Sequence, residues 1–226
     1  MDMNTLTQFS FYFGAASMLC ASIFFFFERG EVAAKWRTSV TVAGLVTFIA
    51  FFHYLTMRDS TVWAASAPDY DQLTSLRYVD WLVTVPLQIV EFYLILKVVG
   101  KVGSSVFWQL LAGSLVMLIG GYLGETGDID KYLGFGIGMI GWIYVIYLIF
   151  FGAARKVNSE SGNESSQFAF KTVRLIVTVG WSIYPIGYFL GYFTPGGGDW
   201  TNALNIIYNI ADFVNKIAFS LVIYQA

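Results

Sequence analysis

Seven runs of mostly apolar residues, each close to 20 long, divide this chain at about 8–27, 38–57, 75–96, 104–124, 132–153, 171–193 and 201–225. A helix of roughly 20 residues crosses a hydrocarbon core of about 30 Å, so every run is long enough to span a bilayer. Lipid offers the backbone no hydrogen-bond partners, which leaves helices and closed barrels as the spanning structures. The short alternating strands of a barrel are not present in the pattern. With 57% hydrophobic and 12% charged residues, the composition is also far from that of a soluble domain. The expected fold is an all-α integral membrane protein, a seven-transmembrane-helix bundle forming one domain over 1–226, with the lipid bilayer as partner and no nucleic acid.

Basic residues orient the bundle. If the first connection is cytoplasmic, that side collects Arg29, Lys35, Arg37, Lys97, Lys101, Arg155, Lys156, Lys171 and Arg174, against Arg58 and Lys131 on the other side. This asymmetry places the N-terminus outside and the C-terminus in the cytoplasm. The basic start of a cleavable signal peptide is not visible, which leaves open a segment removed beforehand. Cys20 is the only cysteine, so no intrachain disulfide can form. The two longer connections fall at about 58–74 and 154–170. The second, ARKVNSESGNESSQFAF, reads as a solvated flexible link, and TPGGGDW at 194–200 as a tight turn. No internal repeat of the kind found in many secondary transporters is evident.

Charged groups inside a bilayer are costly enough that each is a functional candidate. Five fall in spans: Arg77, Asp80, Glu91, Asp212 and Lys216. Asp80 and Glu91 are eleven residues apart, three turns plus about 20°, so they face one side roughly 16 Å apart along the axis. Thr84 and Gln88 continue that polar face. Asp212 and Lys216 are one turn apart, a deep lysine with its own counter-ion. The arrangement has two carboxylates on one side of a buried amine and a third on the other, which describes a proton path. A structural ion pair would also account for Asp212 and Lys216, but leaves Glu91 unexplained; in apolar surroundings that glutamate would carry a proton. A buried lysine can also condense with a carbonyl ligand. Trp81, Trp181, Tyr184 and Tyr208 could wall a flat conjugated ligand, with Pro185 bending the sixth helix, or could simply be core.

The motifs FFFFERGEVAAKWRTS, FHYLTMR, RYVDWLVTVP, EFYLIL, GSLVMLIGGYLGE, GWSIYPIGYF and IYNIADFVNKIAFSL resemble the microbial rhodopsins, most closely the proteorhodopsins, over essentially the whole chain. The resemblance implies all-trans retinal carried by Lys216 as a protonated Schiff base. It implies Asp80 as proton acceptor, Asp212 as second counter-ion, Arg77 as the cation organising both, and Glu91 as the donor that restores the proton. Its pocket would include Met117 and Trp142 beside the aromatics above. The set Asp80, Thr84, Glu91 matches the outward proton-pump pattern. A sodium pump of this family would carry Asn, Asp and Gln there, and sensory members usually lack the donor carboxylate. His53 matches the histidine that pairs with the acceptor. Some relatives also bring a neighbouring subunit's tryptophan to that histidine; the corresponding first-span region here reads FSFYFGAAS and holds no tryptophan. Gln88 occupies the position that is glutamine in blue-absorbing and leucine in green-absorbing forms.

The resemblance therefore implies a light-driven outward proton pump, multi-pass in a bacterial inner membrane and homo-oligomeric as a pentamer or hexamer, a transporter rather than an enzyme. The alternative is a photosensor with a slow cycle and a signalling partner, though the chain stops at Ala226, just past the last helix. A retinal-free channel would leave Lys216 without a role.

Overall fold

A computed structural model describes residues 2–59, 70–194 and 201–225 of the chain. The helices are α1 (Met3–Glu28), α2 (Arg37–Asp59), α3 (Tyr70–Val99), α4 (Ser104–Glu125), α5 (Lys131–Phe151), α6 (Ala153–Ser159), α7 (Glu164–Leu175), α8 (Ile183–Phe193), α9 (Thr201–Asp212) and α10 (Phe219–Tyr224). They form seven candidate membrane spans, the fifth covering Lys131–Ser159, the sixth Glu164–Phe193 and the seventh Asn202–Tyr224. Asp2 and Asp130 cap α1 and α5, accepting from the Thr5 N–H at 2.7 Å and from the Tyr132 N–H at 2.9 Å. Each cap satisfies donors that the first helical turn leaves free. The side chain of Asp2 lies outside the spans, and the bonds from Thr5 hold its carboxyl below the ordinary aspartate range.

Apolar burial alone does not drive helices together in lipid, so close packing has to. Along the seam between α4 and α5, glycines face the opposite backbone. A β-carbon on Gly134 would come 2.5 Å from the Gly124 Cα, and one on Gly141 the same distance from the Met117 nitrogen. The main buried cluster runs inward from this pair through Trp81, Leu118, Val145 and Trp181.

The segment 154–170 is not a flexible link. It forms most of α6 and the start of α7, with a break only at Glu160–Asn163. Ala154, Asn158, Ala169 and Phe170 are buried, and the Ser166 hydroxyl donates to the Asn158 side chain at 3.3 Å. Gly162 supplies the turn at φ +63°, and Asn163 caps α7 through the Ser166 N–H. Local Ser, Asn and Gly content reads as loop; tertiary burial of the alternate face makes it helix. The TPGGGDW turn beyond Thr194 and most of the 58–74 connection lie outside the described residues.

Two π-helical turns interrupt the last two spans, at Ile176–Gly180 and Phe213–Ala218. The first lies just before Pro185, whose ring crowds the carbonyl four residues earlier and so disfavours a regular helix there. The Trp181 N–H reaches back to the Ile176 carbonyl at 3.0 Å, five residues away. The second π-turn contains Lys216, and the regular helix expected over 201–225 is widened at that residue.

Candidate functional site

The buried amine of Lys216 is the centre of the bundle. Its Nζ donates to Asp80 Oδ2 at 2.6 Å and to Asp212 Oδ2 at 2.8 Å. Helix spacing on the seventh span and the inward face of α3 bring the three together, with both aspartates and Lys216 at most 2% exposed. Burying three charges is tolerated because they pair and their remaining valences are filled.

The two carboxylates are filled unequally. Asp212 also accepts from the Tyr54 hydroxyl at 2.8 Å, the Trp81 indole N–H at 3.2 Å and the Tyr184 hydroxyl. Asp80 meets only Lys216 and the His53 Nδ1, 3.0 Å from Oδ1, among the side chains of the described residues. The Thr84 hydroxyl turns back to the Asp80 backbone carbonyl at 2.9 Å. A carboxylate with many donors keeps its charge more firmly than one with few. Asp80 is therefore the less saturated of the two carboxylates on Lys216.

Arg77 is buried at the same end of the site, but its bonds go elsewhere. Nη2 donates to Asn205 Oδ1 at 2.9 Å and Asn209 Oδ1 at 3.0 Å, and no carboxylate among the described residues lies within 4 Å of it. The expected organising cation is thus held by amides and acts on the aspartates only through its field. Glu91 lies in the opposite half of α3, fully buried, with no hydrogen-bond partner for either carboxyl oxygen among the described residues.

A cavity of about 100 Å³ opens beside Lys216, several times what one ordered water needs. Trp81, Gln88, Met117, Trp142, Trp181, Tyr184, Pro185, Tyr208 and Asp212 all line it, which gathers every pocket residue expected from the sequence. Its wall is predominantly apolar and aromatic, with one amine. That chemistry suits a long, flat, apolar molecule bearing a reactive carbonyl at one end, so the residues present fit retinal. The Gln88 Nε2 donates to the Asn215 backbone carbonyl at 3.0 Å, inside the second π-turn. The side chain is therefore satisfied by a helix carbonyl and also faces the cavity.

Several residues of the site were not singled out from the sequence. Tyr54 immediately follows His53. Asn205 and Asn209 precede Asp212 and Lys216 at steps of four, three and four, a helical stripe that was legible. Asn215 donates to the Gly180 carbonyl at 3.1 Å and the Tyr184 hydroxyl at 3.2 Å. Glu125, half-buried at the end of α4, lines the cavity and accepts from the Tyr78 hydroxyl at 2.7 Å and from the Tyr192 hydroxyl at 3.2 Å.

A family model described as bacteriorhodopsin-like protein matches residues 5–226. A blue-light absorbing proteorhodopsin of Gamma-proteobacterium Hot 75m4 is 48% identical over 225 residues, covering 100% of this chain and 87% of that protein. A green-light absorbing proteorhodopsin of Gamma-proteobacterium EBAC31A08 is 47% identical, covering 100% and 88%. Overall identity therefore does not separate the two colours. The crystal structure of a blue light-absorbing proteorhodopsin from Med12 superposes with a TM-score of 0.81 at 51% identity, covering 97% of this chain and 96% of that one. A seven-span bundle matched along nearly its whole length by these proteins is a multi-pass membrane protein, and the chain belongs to the bacteriorhodopsin-like family.

Proposed function

We propose that the protein is a light-driven outward proton pump that carries retinal on Lys216, one domain over 1–226. The observation that carries this reading is the placement of proton-holding groups on both sides of a single buried amine. When bound, retinal supplies the absorption of visible light and a change of shape on excitation; the chain supplies the proton route. Lys216 Nζ holds the proton at rest between Asp80 and Asp212. Asp80 Oδ2, the less saturated acceptor, takes it, while His53 on Oδ1 keeps the other oxygen turned to the amine. Asp212 retains its charge through Tyr54, Trp81 and Tyr184. Glu91 holds the proton that restores Lys216 from the other side. Phe92, Val177, Trp181 and Phe219 belong to the buried apolar cluster and line a separate small void that Gln88 also borders.

Outward direction follows from an N-terminus outside, the orientation favoured by the basic residues. That places Asp80 in the outer half and Glu91 in the inner half. By resemblance, the location is a bacterial inner membrane and the assembly a pentamer or hexamer, and Gln88 assigns the blue-absorbing type. Glu91 favours pumping over sensing, because a sensor needs no restoring donor.

The test is to illuminate unbuffered cells supplied with retinal and to record external pH. Light-dependent acidification abolished by a protonophore is the expected result. In parallel, Lys216→Ala should bind no retinal covalently and stay colourless, because no other lysine lies deep within a span. A coloured Lys216→Ala protein, or illuminated cells that leave the pH unchanged, would overturn the proposal.

A further inference from the structure

Arg77 is a buried cation beside two buried carboxylates, yet it pairs with neither. Asp80 lies three residues on along the same helix, and a guanidinium and a carboxylate within reach normally form a strong, often two-pronged, bond. Here Nη2 instead divides its donors between the Asn205 and Asn209 oxygens. Nη1 is buried without a hydrogen-bond partner. Arg77 is therefore not saturated where it stands, and would gain by turning toward a carboxylate.

The amides prevent this. Asn209 is fixed from behind, its Nδ2 donating to the Ser10 hydroxyl at 2.8 Å, and Ser10 in turn donating to the Thr7 carbonyl at 2.7 Å. With Nδ2 so engaged, Oδ1 is left facing the guanidinium. The rings of Phe11 and Tyr208 lie 5.4 Å from the guanidinium carbon and that of Trp81 at 5.9 Å, a favourable bed for a cation. An amide oxygen differs from a carboxylate in one respect that matters here: it satisfies a donor without cancelling the charge. Held in this way, Arg77 keeps its full field, and Asp80 and Asp212 both remain on Lys216.

We infer that Asn205 and Asn209 are positioning residues that hold Arg77 off the two aspartates, and so set the resting charge around Lys216 and the colour of the pigment. The inference rests on the reading of Lys216 as the retinal site. Released from the amides, the guanidinium moves toward Asp212 and Asp80 and neutralises part of their charge. The cation on the Lys216 nitrogen is then less stabilised in the ground state, and absorption shifts to longer wavelength.

The experiment compares the parent, Asn209→Leu, Asn205→Leu, Arg77→Gln and Asn209→Leu with Arg77→Gln, each loaded with retinal. Each leucine variant should absorb roughly 10 nm or more to the red of the parent, an effect of a charge moving in a low-dielectric site. In the Arg77→Gln background, Asn209→Leu should move the maximum no further, because the amide acts through the arginine. An unmoved maximum in Asn209→Leu, or an equal shift with and without Arg77, overturns the inference. Nitrogen NMR of arginine-labelled, retinal-free protein gives a readout independent of colour. The two Nη signals assigned to Arg77 by their loss in Arg77→Gln should be distinct in the parent and altered in Asn209→Leu; unaltered signals overturn the clamp even where no pigment forms. A parent that stays colourless with retinal instead brings down the reading of Lys216, and the NMR comparison still decides the clamp.

Discussion

Gly180 and Asn215 interlock where the π-turns of the sixth and seventh spans meet. The Asn215 Nδ2 donates to the Gly180 carbonyl at 3.1 Å, and a β-carbon on Gly180 would overlap the Asn215 Oδ1. Gly180→Ala should therefore lower stability by about 1–3 kcal/mol, the usual cost of overpacking a tight contact. The same substitution should cost much less in an Asn215→Ala background, where the space has been vacated. Thermal loss of the visible band, compared across the two single variants and the double, measures this. An equal cost in both backgrounds would separate the two residues.

Asp80→Asn should still form pigment, because Asp212 keeps its bond to Lys216 with support from Tyr54, Trp81 and Tyr184. Its absorption should move to the red, since one of two negative charges stabilising the cation is gone, and light-driven acidification should cease for want of the acceptor. A visible spectrum and a pH electrode record both effects. Retained pumping would transfer the acceptor role to Asp212.

Glu91→Gln should leave the spectrum and the first proton transfer unchanged while slowing the late return by on the order of 10²-fold, the typical contribution of a positioned acid. Flash kinetics resolve the two phases. Added azide, a small proton carrier, should restore the late phase, and a late phase insensitive to both changes would point to another donor.

Gln88→Leu removes an amide dipole from the cavity wall and its bond to the Asn215 carbonyl while keeping similar bulk. Absorption should move to the red by roughly a few tens of nanometres, as dipole effects are strong at low dielectric. A Gln88→Leu pigment with the parent's maximum would show that this side chain does not act on the chromophore.

Hydrophobic length made the seven spans legible, and helical periodicity alone placed Asp80, Glu91, Asp212 and Lys216 on inward faces. The π-turn at Lys216 was not legible, because it inserts no new residue type and depends on what α3 and the sixth span offer the freed groups. The 154–170 segment misled for a related reason: its polar residues are helix caps and interhelical bonds, as Asn158, Asn163 and Ser166 show. Arg77 shows a different limit. Its burial follows from the sequence, but whether a cation prefers carboxylates or amides depends on three-dimensional competition between the seventh-span asparagines and the aspartates.

The glycine seam between α4 and α5 has a mechanical consequence. With backbones in direct contact at Gly124, Gly134 and Gly141, these two helices have no compressible side-chain layer between them and form a stiff plate on one side of the cavity. A molecule changing shape in that cavity would press on this plate through Met117 and Trp142 and find little give. The displacement would pass instead to the sixth and seventh spans, which are π-helical at Ile176–Gly180 and Phe213–Ala218 and meet the plate where the Trp142 indole donates to the Val177 carbonyl. The seam thus acts as a backstop that directs strain toward Lys216.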